Sequence, residues 1–261
     1  MEDNEKRFEQ DIESFLTSER GGYREGDQKT YDLEKAIDMD KLVSFISSSQ
    51  PKEWERQVKR DGEEATKKLY KCLQTNIDNE GLIYVLRHGI IDRGIKFKLV
   101  YFRPETALNE EVIKQYNSNI LTCTRQFRYS TQNTNTIDMI LSLNGIPIIA
   151  LELKNQLKGQ SIDNAKSQFM YDRNPKELIF GFNNRILVYF AVDLYEVAMT
   201  TQLKGRNTYF LPFNQGSNGA GEIGGAGNPI GDGEGYATSY LWEKVLQKDA
   251  LLDILQRFIH L

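Results

Sequence analysis

Apolar residues recur at helical spacing through the first eighty positions. Phe8, Ile12, Phe15 and Leu16 fall on one face at steps of three and four, and "DLEKAIDMDKLVSFISSS" (32–49) and "EEATKKLYKCLQTN" (63–76) repeat that period. From residue 95 the period becomes two. "IKFKLVYF", "ILTCTRQFRYS", "TIDMILSL", "IPIIALEL", "LIFGFNN" and "RILVYFAVDLYEVAMTT" read as strands, with helices predicted at "TALNEEVIKQYN" and "SIDNAKSQFMYDR". Nine glycines in the 22 residues from Asn214 to Gly235 mark a loop, and "SYLWEKVLQKDALLDILQRFIHL" closes the chain as one amphipathic helix. The pattern predicts an α/β fold, a mixed sheet flanked by helices with a helical amino-terminal part. Its expected divisions are a helical part packed on the core at 1–80, a core at 81–213, a glycine-rich loop at 214–235 and a closing helix at 236–261.

Two of these strands carry charge where a core strand wants Val or Ile. In "TIDMILSLNGIPIIALELKNQ" (136–156), side chains alternate, so Ile148, Ala150, Glu152 and Lys154 share one face and Ile149, Leu151 and Leu153 the other. Burying a carboxylate and an ammonium near a strand centre costs several kcal/mol each unless they are paired or bound. An edge-strand salt bridge answers that need for Glu152 and Lys154 alone. Asp138 on the preceding strand adds a second carboxylate, and two hard oxygen ligands beside a lysine suit phosphodiester hydrolysis with Mg²⁺.

The register between these strands decides whether the carboxylates can meet. A two-residue Asn144-Gly145 loop pairs Leu143 with Ile146 and, continued, sets Asp138 opposite Leu151, away from Glu152. A three-residue loop closed by Gly145 with a bulge instead sets Asp138 opposite Ala150, diagonal to Glu152. A shared site therefore demands an odd-length loop or a bulge.

Composition narrows the chemistry. With 33 Lys and Arg against 37 Asp and Glu the net charge is -4, so any nucleic-acid contact has to be local. His88 and His260 are the two histidines, which nearly excludes histidine-based metal sites, and the two cysteines, Cys72 and Cys123, give no disulfide framework and read as small core residues. No segment approaches the roughly 18 apolar residues of a membrane span, and the amino terminus lacks a leader pattern, so a cytoplasmic location and no membrane partner are expected. "GAGEIG" (Gly219, Gly221, Gly224) has the letters of a dinucleotide fingerprint without the strand before it or the helix after it. No P-loop motif occurs either, so ATP is not expected to bind this chain by that means.

The D-x₁₃-E-x-K arrangement on consecutive strands resembles the active site of the PD-(D/E)xK nuclease superfamily, with Ile137 in place of the proline. Together with "MTTQLKGRNTYFLPFNQG", "GAGNP" and "SYLWEKVLQKDALLDILQRFI", it is similar to the amino-terminal endonuclease domain of the R subunit of type I restriction enzymes. The resemblance covers residues 80–261 and, more loosely, the helices before them. It implies Asp138 and Glu152 as metal ligands, the Leu153 carbonyl as a third, and Lys154 as the catalytic lysine. Glu9 on the first helix completes the metal set by analogy, with Glu13 one turn on. Gln168 and Tyr171 match a Gln and a Tyr on the helix after the motif, with two residues between them where the family usually has three. Arg125 and Arg128 are candidates for DNA phosphates, as are Lys204 and Arg206. The implied function is Mg²⁺-dependent cleavage of double-stranded DNA, with Mn²⁺ able to substitute, alongside methylation and specificity subunits. ATP would enter only through helicase-like lobes expected beyond residue 261. Alternative readings are a docking module that keeps the fold without the chemistry, and a stand-alone RecB-like repair nuclease.

Overall fold

The structure is a computed structural model that describes residues 3–104, 109–155, 159–229 and 235–259. It opens with α1 (Asp3–Leu16), three two-residue strands, β1 (Arg24–Glu25), β2 (Tyr31–Asp32) and β3 (Ile37–Asp38), and four helices, α2 (Met39–Ser49), α3 (Pro51–Asp61), α4 (Ala65–Glu80) and α5 (Leu82–His88). A hairpin of β4 (Ile90–Asp92) and β5 (Ile95–Phe97) and helix α6 (Glu110–Asn117) lead into the central strands β6 (Leu121–Arg128), β7 (Thr136–Leu143) and β8 (Ile146–Leu153). Helix α7 (Ile162–Ser167) crosses to β9 (Val188–Val192), followed by β10 (Val197–Thr200), β11 (Leu211–Pro212) and α8 (Lys248–Arg257).

Among the described residues the main sheet has seven strands in the order β1-β6-β7-β8-β9-β10-β11, with β1/β6 and β8/β9 parallel and the other pairs antiparallel. This is an α/β fold with a mixed sheet flanked by helices. Every residue of β8 is buried, as expected for a strand with neighbours on both edges. The larger core runs from Phe8, Ile12 and Leu16 of α1 through Leu42, Phe45, Leu69 and Leu73 to Leu141, Leu151 and Leu153 of the sheet. The amino-terminal helices thus share a core with the sheet. A smaller cluster gathers Ile140, Ala150, Phe169, Phe180 and Tyr189, while α7 packs Ile162 and Ala165 on Ala191 and Ala198.

The β7–β8 turn holds the sheet to α2. Asn144 and Gly145 have φ of 51° and 86°, the left-handed pair of a two-residue hairpin. A Cβ on Gly145 would lie 2.2 Å from the Asp38 carbonyl oxygen, and the Asp38 N–H donates to the Gly145 carbonyl at 2.9 Å. Asp38 in turn caps α2, its carboxylate accepting from the Lys41 N–H.

Several predicted elements take another form. The loop is the two-residue one, pairing Leu143 with Ile146 and Ser142 with Pro147, and a bulge follows: Leu141 pairs with Ile149, skipping Ile148. Ile148 and Ile149 both enter the larger core, so Ile148 leaves the face assigned to it by simple alternation. The predicted helix at 32–49 begins only at Met39, because the Asp32 carboxylate accepts from the Glu34 and Lys35 N–H groups and holds a turn. In 95–102 only Ile95–Phe97 is strand; the Gln50 side chain takes up both backbone groups of Lys98. "LIFGFNN" forms a 3₁₀ turn at Leu178–Phe180, whose apolar residues fill the smaller core rather than a sheet position. The predicted helix at 106–117 is seen as Glu110–Asn117, and its residues 106–108 lie outside the described ones. The closing helix divides into a π-helical turn, Leu241–Val245, and α8, which the Gln247 side chain caps.

Candidate active site

The bulge at Ile148 brings the carboxylates together. Below it the pairs run Leu141 to Ile149, Ile140 to Ala150 and Met139 to Leu151, where the ladder ends; continuing that register one position sets Asp138 opposite Glu152. Directly opposed residues share a face, so the two side chains meet head-on rather than diagonally. At this end the ladder opens. The Leu153 N–H donates to Asp138 Oδ2 at 2.8 Å, while the Lys154 N–H turns the other way, to the Val192 carbonyl at 2.9 Å. A strand residue presents its amide and carbonyl on the same edge, so the Leu153 carbonyl also faces the β7 side. Lys154 Nζ lies 3.6 Å from Asp138 Oδ2. Parity with a three-residue loop expects Asp138 opposite Ala150; the two-residue loop and the bulge shift it by two positions.

Glu152 is fully buried, and Arg173 holds it. The Arg173 Nε donates to Glu152 Oε1 at 3.1 Å and its Nη2 reaches the same oxygen. Nη2 also donates to the Thr136 carbonyl at 2.7 Å, and the guanidinium lies over the Tyr129 ring. Glu152 Oε2 has no hydrogen-bond partner. Burial first, and the Asp138 charge second, push the Glu152 carboxyl well above its usual range, with Arg173 and Lys154 opposing. Arg173 is a site residue that motif reading misses. Its only trace in sequence is the need of a buried carboxylate for a cation, and the partner arrives through the fold, 21 residues on.

Gln126 is the second residue missed. It sits within β6 at φ 47°, in the left-handed region that a non-glycine residue rarely adopts, and the β6–β7 pairing omits it. Its amide nitrogen donates to Glu9 Oε1 at 2.9 Å and to Asp138 Oδ1 at 3.4 Å, linking α1 to the strand carboxylate. Backbone strain of this kind gathers at functional sites.

Among the other predicted residues, Glu9 is buried, its carboxyl raised by burial and then by Asp138. Glu13 stands further off, as a partner of Arg125. Arg125 Nε pairs with Glu9 at 3.2 Å and its Nη1 with Glu13 at 3.1 Å, so it ties α1 to the sheet. Arg128 is exposed, and Gln28 takes up both of its backbone groups. The helix after β8 opens into a π-helical turn at Gln168–Asp172, which departs from the regular helix predicted for 161–173. Gln168 and Tyr171 nevertheless line one cleft with Lys154, Gln160 and Asn164. The glycine-rich fingerprint has neither strand nor helix around it in 214–229, and residues 230–234 lie outside the described ones.

Among the described residues no three His, Cys, Asp or Glu side chains converge as a ready-made metal cage. The donor set still fits a hard divalent ion: two opposed carboxylates, one with an orphaned buried oxygen, beside a backbone carbonyl on the same edge. Mg²⁺ is commonly held by one or two carboxylates, with water and phosphate oxygens completing its shell.

A mixed sheet whose central hairpin carries an acidic pair and a lysine at one end is a nuclease-like α/β fold. Residues 9–208 match the family described as type I restriction enzyme R protein N terminus, and the chain belongs to that family. Membership places it in a restriction-endonuclease setting. No curated protein matches the chain. Among the described residues, no helix is long and apolar enough to cross a membrane.

Proposed function

We propose that this chain is the DNA-cleaving domain of a type I R subunit, hydrolysing phosphodiester bonds of double-stranded DNA with Mg²⁺. The observation that carries the reading is the placing of Asp138, Glu152 and Lys154, all buried, against one another at the open end of the β7–β8 ladder. A fold with no chemistry to perform gains nothing from three desolvated charges there. Asp138, Glu152 Oε2 and the Leu153 carbonyl would hold Mg²⁺ or Mn²⁺. When bound, the ion would polarise the phosphate and make a water acidic enough to attack. The Leu153 N–H fixes the Asp138 carboxylate, and Arg173 fixes that of Glu152, so neither has to reorient. Lys154 brings a cation to where negative charge develops on the phosphate.

The same reading assigns sequence choice to the specificity and methylation subunits and ATP use to a motor region outside this chain, in the cytoplasm. Glu9 joins the metal set only if it exchanges Gln126 and Arg125 for the ion.

Calorimetric titration with Mn²⁺ in the presence of duplex DNA tests the metal assignment. Saturable binding is expected for the wild-type chain and its loss for Asp138→Ala combined with Glu152→Ala, while Ca²⁺ binds without supporting cleavage. Unchanged Mn²⁺ binding by the double variant would remove the basis of the proposal.

A further inference from the structure

A basic surface lies beside the cleft, on the loop between β10 and β11. Leu203 is buried in the smaller core, and Phe210 packs against that core with its ring 6.1 Å from that of Phe169, the residue after Gln168. Between these anchors the chain closes on itself. The Lys204 N–H donates to Thr208 Oγ1 at 2.8 Å, and that hydroxyl donates to the Gly205 carbonyl at 2.6 Å. The Asn207 and Thr208 N–H groups return to the carbonyls of Lys204 and Gly205. Gly205 takes φ 56°, and a Cβ there would lie 3.8 Å from the Met170 carbonyl oxygen, inside the π-helical turn that bears Gln168 and Tyr171.

Thr208 is buried at the centre of this knot, and Lys204, Arg206 and Tyr209 point outward, Tyr209 being 75% exposed. Among the described residues neither Lys204 nor Arg206 pairs with a carboxylate. Two uncompensated cations on a loop already ordered by its own hydrogen bonds lose little conformational entropy on meeting an anion. In a chain of net charge -4, attraction for a polyanion has to come from local surfaces of this kind.

We propose that Lys204 and Arg206 form a phosphate-binding contact that holds the DNA backbone alongside the Gln168–Tyr171 cleft. This inference rests on the nuclease reading. Each cation neutralises one phosphate and releases its condensed counterion, so the two together give about two units of salt dependence.

The test is duplex binding by the whole chain, with a DNA of arbitrary sequence, in Ca²⁺ without Mg²⁺, over a series of salt concentrations. For Lys204→Ala/Arg206→Ala the slope of log affinity against log salt should fall by about two units from wild type. Lys204→Arg/Arg206→Lys should restore it, and the control Lys59→Ala/Lys67→Ala, on α3 and α4, should leave it unchanged. Both loop residues are exposed, so the melting temperature should not move. An unaltered slope in the loop variant, with wild type binding normally, would overturn the loop assignment and spare the nuclease reading. Absence of salt-dependent duplex binding by wild type would overturn both.

Discussion

Lys154→Ala is expected to lower cleavage of double-stranded DNA by about 10²–10³-fold, the scale on which losing one preorganised electrostatic contact to a transition state is felt. The residue is buried and lies 3.6 Å from Asp138, so the substitution removes a fixed cation from beside that carboxylate. The Leu153 N–H still holds Asp138, and Arg173 still holds Glu152, so the carboxylates keep their positions. Plasmid cleavage by the full-length subunit, assembled with its partners, is the measurement. DNA-stimulated ATP hydrolysis in the same assembly should be nearly unaffected, because the proposed function puts Lys154 at the phosphodiester and not at a nucleotide site. Loss of both activities together would favour the reading in which this domain only docks the motor.

Arg173→Met should destabilise the fold by about 3–5 kcal/mol, the usual cost of breaking a buried pair by removing one partner. Glu152 is fully buried, and the substitution removes the guanidinium that serves its one bonded oxygen. It also strips a hydrogen bond from the Thr136 carbonyl. Removing both charges, as in Arg173→Met/Glu152→Met, should recover most of that loss, since replacing a whole buried pair by apolar groups is often close to neutral. Urea denaturation of the two variants and wild type gives the comparison. A loss under about 1 kcal/mol for the single variant would mean that Arg173 does not stabilise the buried Glu152 carboxyl.

What the sequence made legible follows the range of the interactions involved. The 3.6-residue stripe of Phe8, Ile12 and Leu16 and the apolar runs of β7 and β8 are local patterns that burial then enforces, and α1 and the central hairpin form where they point. Strand parity requires a bulge or an odd loop, because a regular two-residue hairpin separates the carboxylates. It could not choose the bulge. That choice depends on Asp38, whose backbone closes over Gly145 from more than a hundred residues away and favours the tight turn. The departures at 32–38 and 98–102 have a shared cause, since the Asp32 and Gln50 side chains capture backbone groups that periodicity assigns to a helix and a strand. The pairing of Arg125 with Glu9 and Glu13 is invisible to strand pattern, and Arg173 and Gln126 belong to no motif, because their partners come from other elements.

The central claim is that Asp138 and Glu152 share one divalent ion. Crystals of the chain soaked with Mn²⁺ and measured at the manganese absorption edge test it most directly. The account predicts one anomalous peak about 2.1 Å from both an Asp138 oxygen and Glu152 Oε2, with the Leu153 carbonyl on the same side. A peak elsewhere, or none with the Glu152 carboxylate still bound only by Arg173, would contradict it.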